Sequence, residues 1–193
     1  RIGRKKIWRV SKTTKKIKYT RRNRTSKKRN YWRTSRIKCF SAELIDGVHS
    51  LGQVANFKTN SNIDIEKIAI AINSKLKKSI VIKSAEEVPE NFHARYSCKG
   101  KKYRYIINNS YQGTAIYRDL ECHIPQKLNV DKMKEAIKYF EGEHDFKGFK
   151  ASGTSSKSTV RTIYKAEIKQ DGERIIIELT GNGFLYNMVR IIS

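Results

Sequence analysis

Two stretches alternate cations with aromatic rings. One runs from His93 to Ser97 and includes Arg95, and the other runs from Lys102 to Ile107, preceded by Lys101 and containing Arg104. Cations at this density suit a phosphate backbone, and Tyr103 and Tyr105 offer ring faces on which a base can stack. Residues two apart on a strand share a face, so Tyr103 and Tyr105 point the same way, and either can equally be a core aromatic. The cations, too, can be no more than a solvated strand face. Arg190 stands among the apolar residues Met188, Val189, Ile191 and Ile192, in a setting that favours a fixed guanidinium over a solvated one. Asp46 precedes Gly47 as an Asp-Gly turn pair. His49, His93, His123 and His144 show no helical metal spacing, so the sequence predicts no metal site.

Composition divides the chain. Residues 1–42 hold 18 of its 42 Lys and Arg and no acid, whereas the rest of the +24 net charge is close to an ordinary balance for a protein that handles RNA. Taken alone, the basic segment reads as an RNA-binding arm, with Trp8, Tyr19, Tyr31 and Trp32 available for stacking. Cys39, Cys98 and Cys122 are odd in number and form no Cys-x-x-Cys, which predicts reduced thiols and a cytoplasmic location. No apolar run reaches membrane-spanning length. The sequence opens without Met and stops at Ser193 inside a helical pattern, so both ends are expected to be incomplete.

From Gly52 onward the pattern alternates strands and helices. Leu51 to Phe57 reads as a strand, followed by a helix capped by Ser61 or Asp64, with Ile65, Ile68, Ala69, Ile72 and Leu76 on one face. Ile80 to Ile82 reads as a strand that ends before Pro89. The stretches His93–Ser97 and Lys102–Ile107 are predicted to form a hairpin around Gly100. Val130, Met133, Ile137 and Phe140 form a second apolar stripe, and the strands Thr159–Ile168 and Arg174–Thr180 meet at Asp171-Gly172.

Gly47-Val48-His49-Ser50-Leu51-Gly52-Gln53-Val54-Ala55-Asn56-Phe57 resembles the catalytic-loop region of the bacterial tRNA pseudouridine synthase A family, and so do four later motifs. These are Asn91 to Cys98, Lys101 to Ile107, Lys157 to Tyr164 and Gly181 to Ile192. The resemblance covers residues 47–193. It implies an α+β fold of two similar lobes, each an antiparallel sheet with helices packed on it, with a catalytic cleft between them. It also implies a homodimer, with tRNA as partner, that isomerises uridines at tRNA positions 38 to 40 on the 3′ side of the anticodon arm. That reaction breaks the bond from base to sugar, turns the uracil and rejoins it through C5, and needs no cofactor.

The resemblance assigns roles as well. Tyr103 matches the tyrosine packed against the target base, and Arg190 matches the arginine paired with the catalytic carboxylate. Arg95, Lys102 and Arg104 are expected to bind substrate phosphates. Just upstream of Gly47, where the family has Arg-Thr-Asp, this chain reads Glu43-Leu44-Ile45-Asp46. Ungapped register puts Ile45 in the nucleophile position, and a one-residue gap puts Asp46 there. Plausible codons for Ala42–Ile45, read in another frame, restore Arg-Thr-Asp, and those for Tyr19–Ser26 give Ile-Gln-Gly. On that reading residues 1–45 are out of frame, and the chain as written is expected to be impaired in catalysis. Residues 1–41 are then a frame-shifted or disordered basic segment, 42–110 the remainder of the catalytic lobe, and 111–193 a truncated C-terminal lobe. The alternative in a different class is a decayed, non-catalytic RNA-binding paralogue.

Overall fold

A computed structural model of the chain describes residues 6–14, 40–41, 48–59, 62–153, 156 and 158–193. They group into two units that divide between Cys98 and Lys99. The fold is α+β. Among the described residues no helix is long and apolar enough to cross a membrane.

In the first unit, β1 (Lys6–Thr14), β2 (Phe40–Ser41), β3 (Ser50–Thr59) and β4 (Ile80–Val88) form an antiparallel sheet in the order β2-β3-β1-β4. Part of the basic segment is therefore an interior strand, since β1 pairs with β3 on one side and β4 on the other. Helix α1 (Ile65–Asn73) buries Ile68 and lies against β4. Asp64 occupies its N-cap position without capping through its side chain, and accepts a hydrogen bond from Lys67 Nζ at 2.8 Å instead. At the other end, the Asn73 side chain donates to the Ile82 carbonyl at 2.9 Å and accepts from the Ile82 N–H at 2.7 Å.

The predicted hairpin around Gly100 does not form. His93–Ser97 is a turn, because Ser97 N–H donates to the His93 carbonyl at 2.8 Å and His93 Nδ1 accepts from the N–H groups of Arg95 and Tyr96. Asn56 of β3, only 1% exposed, fixes this turn to the first sheet. Its Oδ1 accepts from Ala94 N–H at 2.8 Å, and its Nδ2 donates to the Phe92 carbonyl at 3.4 Å.

The second unit holds β5 (Lys101–Asn108), β6 (Cys122–His123), β7 (Gly142–Asp145), β8 (Val160–Asp171) and β9 (Arg174–Gly181) in the order β6-β5-β9-β8-β7. This sheet is mixed rather than antiparallel throughout, because β6 runs parallel to β5. Gly172 turns β8 into β9 at φ 58°, a conformation that suits glycine. At the far end of β9, a Cβ on Gly181 would stand 2.6 Å from the Thr162 carbonyl oxygen, beside an irregularity in β8 between Ile163 and Lys165. Only glycine allows that approach.

Helix α2 (Val130–Ile137) carries the predicted apolar stripe, and a 3-10 turn over Lys138–Phe140 extends it. Its cap is Asn129, whose Oδ1 accepts from Lys132 N–H at 3.0 Å. Period-two alternation points Ile175, Ile177 and Leu179 of β9 into one core with Ile107, Ile137, Phe146 and Met188. A short helix, α3 (Met188–Ile192), closes this core and begins at Asn187, the one described non-glycine residue with positive φ.

Candidate functional site

The two faces of β5 separate the residues that the sequence grouped together. Tyr103 lies opposite Leu179 and Tyr105 opposite Ile177, so both rings share the core face of the sheet. The Phe184 ring meets Tyr103 edge-on, with centroids 5.0 Å apart and an interplanar angle of 80°. That contact fixes the Tyr103 ring without covering it by stacking, as aromatic pairs of this geometry do.

Tyr105 takes a hydrogen bond to the Cys122 side chain, which with burial raises its hydroxyl above the ordinary value. The guanidinium of Arg190 lies within electrostatic reach and opposes that shift. Arg190 itself is exposed, and its Nη1 donates to Asn187 Oδ1 at 3.0 Å. Asn187 is held at φ 57°, a left-handed conformation that asparagine tolerates better than most residues. The structure thus brings Tyr103, Tyr105, Phe184 and Arg190 to the α3 end of one face. Ile45 and Asp46 lie outside the described residues.

Lys102 and Arg104 point from the opposite face and converge on Glu178 of β9. Lys102 Nζ stands 2.9 Å from Glu178 Oε2, and Arg104 Nη2 stands 2.7 Å from Oε1, with Lys169 of β8 at 3.5 Å. The Glu178 side chain is only 3% exposed, covered by the stems of these cations. Hydrogen bonding from Lys102, then from Arg104, holds its carboxyl at about 2 against the opposing effect of burial. Arg95 belongs to the first unit, exposed on the His93 turn with its guanidinium 5.9 Å from the centre of the Tyr96 ring. Arg161 holds the loop before β8, donating to Ser156 Oγ at 2.9 Å and the Ser158 carbonyl at 3.1 Å.

The sequence matches, over residues 4–97 and 136–193, a family described as tRNA pseudouridine synthase. The chain belongs to that family. A tRNA pseudouridine synthase A of Ruminiclostridium cellulolyticum is 57% identical over 149 residues, 76% of this chain and 60% of the relative. One of Acetivibrio thermocellus is 49% identical over 146 residues, with the same shares covered. A tRNA pseudouridine synthase A 2 of Clostridium perfringens is 49% identical over 152 residues, 79% of this chain and 62% of the relative. The chain therefore spans about 60% of the length of the curated relatives it matches.

Sequence reasoning missed Glu178, although a carboxylate inside the Ile-rich strand Arg174–Gly181 was the available signal. A buried acid in such a run needs a cationic partner. It also missed Asn56, whose side chain ties the His93 turn to the first sheet.

Proposed function

We propose that this chain is the catalytic part of a tRNA pseudouridine synthase, acting in the cytoplasm as a homodimer on uridines of the anticodon arm. The observation that carries the reading is the shared face of Tyr103 and Tyr105 on β5, with Arg190 of α3 within electrostatic reach of Tyr105, in a chain of this family. In the isomerisation the N1–C1′ bond breaks and a C5–C1′ bond forms. The C5 hydrogen leaves to solvent and N1 takes up a proton. A carboxylate must open the sequence, and Asp46 is assigned that part. Tyr103 supports the extruded uracil, since a ring face holds a base by stacking. Arg190 keeps the carboxylate ionised through charge-assisted hydrogen bonds. Arg95, Lys102 and Arg104 are assigned to phosphates of the bound RNA.

Tritium release from tRNA labelled at uracil C5 tests the assignment. The expected result is release that is slower than that of a relative carrying Arg-Thr-Asp and that Asp46→Asn abolishes while tRNA binding persists. Binding without release by the unaltered chain would refute catalysis and establish the second reading, a non-catalytic RNA-binding relative. That reading is favoured by the ungapped register, which places Ile45 where the family has its aspartate.

A further inference from the structure

The family match leaves residues 98–135 unmatched, and this stretch builds a cavity of about 400 Å³ in the second unit. One wall is a closed polar network. Glu121, whose side chain is 5% exposed, accepts from Arg174 Nε at 2.7 Å and from Asn108 Nδ2 at 3.3 Å. Asn108 Oδ1 in turn accepts from the Ser110 hydroxyl at 2.6 Å. Such a network holds its members in place, because each buried polar group already has a partner.

Tyr117 lines the cavity with the Arg174 guanidinium 4.4 Å from its ring centroid, and the residue remains 40% exposed. Gly113 packs at φ 70° against the ring of His123, where a Cβ would come within 3.1 Å. Arg118 also lines the cavity, and among the described residues it makes no hydrogen bond or ion pair. A ring fixed by a cation and an unspent guanidinium supply two of the contacts an unpaired nucleotide makes, through its base face and its phosphate, and the closed network holds the wall beside them in shape.

We propose that this cavity binds one unpaired nucleotide of the tRNA, with its base against Tyr117 and its phosphate on Arg118. The proposal rests on the tRNA reading given above and adds a contact separate from the Tyr103–Arg190 face.

Filter binding of a tRNA transcript to the full chain, over a series of salt concentrations, tests it. Tyr117→Ala should weaken affinity about tenfold, and Tyr117→Phe should stay within about twofold, because the stacking ring is retained. Arg118→Ala should lower the slope of log affinity against log salt by about one, the share of one phosphate contact. Among the described residues Arg118 makes no hydrogen bond or ion pair, so its variant serves if Tyr117→Ala unfolds. Normal affinity and slope in both variants, with tRNA still bound, would overturn this inference and leave the catalytic assignment standing. If the unaltered chain bound no tRNA at all, both readings would fall. A change in sedimentation on Tyr117→Ala without a change in affinity would assign the face to a second copy of the chain and overturn the proposal.

Discussion

The two faces of β5 use one strand for opposite purposes. On one face, Tyr103 meets Phe184 and Tyr105 stands within electrostatic reach of Arg190. On the other, Lys102 and Arg104, each about half exposed, are paired with Glu178 inside the same sheet. A cation next to an aromatic residue in sequence is thus not next to it in space, because strand alternation separates neighbours. Charge read along a chain overstates what is open to a ligand wherever a buried carboxylate waits across the sheet.

Tyr103→Ala tests the contrast between the two faces most severely. If the ring supports the extruded base, turnover measured by tritium release should fall on the order of a hundredfold, near the upper end of what stacking contributes. Affinity for tRNA should change by no more than a few-fold. Equal losses in both would place Tyr103 among the core aromatics with Phe184.

Next in size is Glu178→Gln, which leaves Lys102, Arg104 and Lys169 facing a neutral amide. Thermal unfolding should show a loss of about 1–3 kcal/mol, below that of a deeply buried pair because both main partners are about half exposed. The same carboxylate gives the unaltered protein an acid limit. Its folded value of about 2 lies below its ordinary 4.5, so the stability it contributes is present above pH 4.5 and is lost as the pH falls towards 2. Denaturation curves across that range should show the loss in the unaltered chain and a flatter profile in Glu178→Gln. Identical profiles would remove Glu178 as the cause.

The smallest effect belongs to Lys102→Ala and Arg104→Ala. Both cations are exposed enough to touch phosphate, but Glu178 already neutralises them in part. Each should lower the salt slope of tRNA binding by less than one and the affinity by about two- to threefold. A full unit of slope for either would show that the cation is released to the RNA and would erase the contrast between the faces.

What the sequence revealed was local. The Val130–Phe140 stripe and the turn at Asp171-Gly172 are fixed by neighbours a few residues away, and both formed as read. The hairpin around Gly100 failed because both halves were claimed from a distance. β5 pairs with β9, placing Tyr103 opposite Leu179, and the His93 turn is held by Asn56. Period-two alternation already put Tyr103 and Tyr105 on one face. It carried no sign that Glu178 would draw the intervening cations to the other. The motif singled out Arg190, but its bond to a left-handed Asn187 depends on backbone geometry that residue types do not encode.

The pair of hydrogen bonds from Asn73 to Ile82 has a consequence beyond ending a helix. Among the described residues β4 is the last strand of its sheet, and such a border exposes backbone donors and acceptors that can recruit a strand from another molecule. By taking both groups of Ile82, the side-chain amide of Asn73 acts as a one-residue dummy strand and denies a foreign chain its point of attachment.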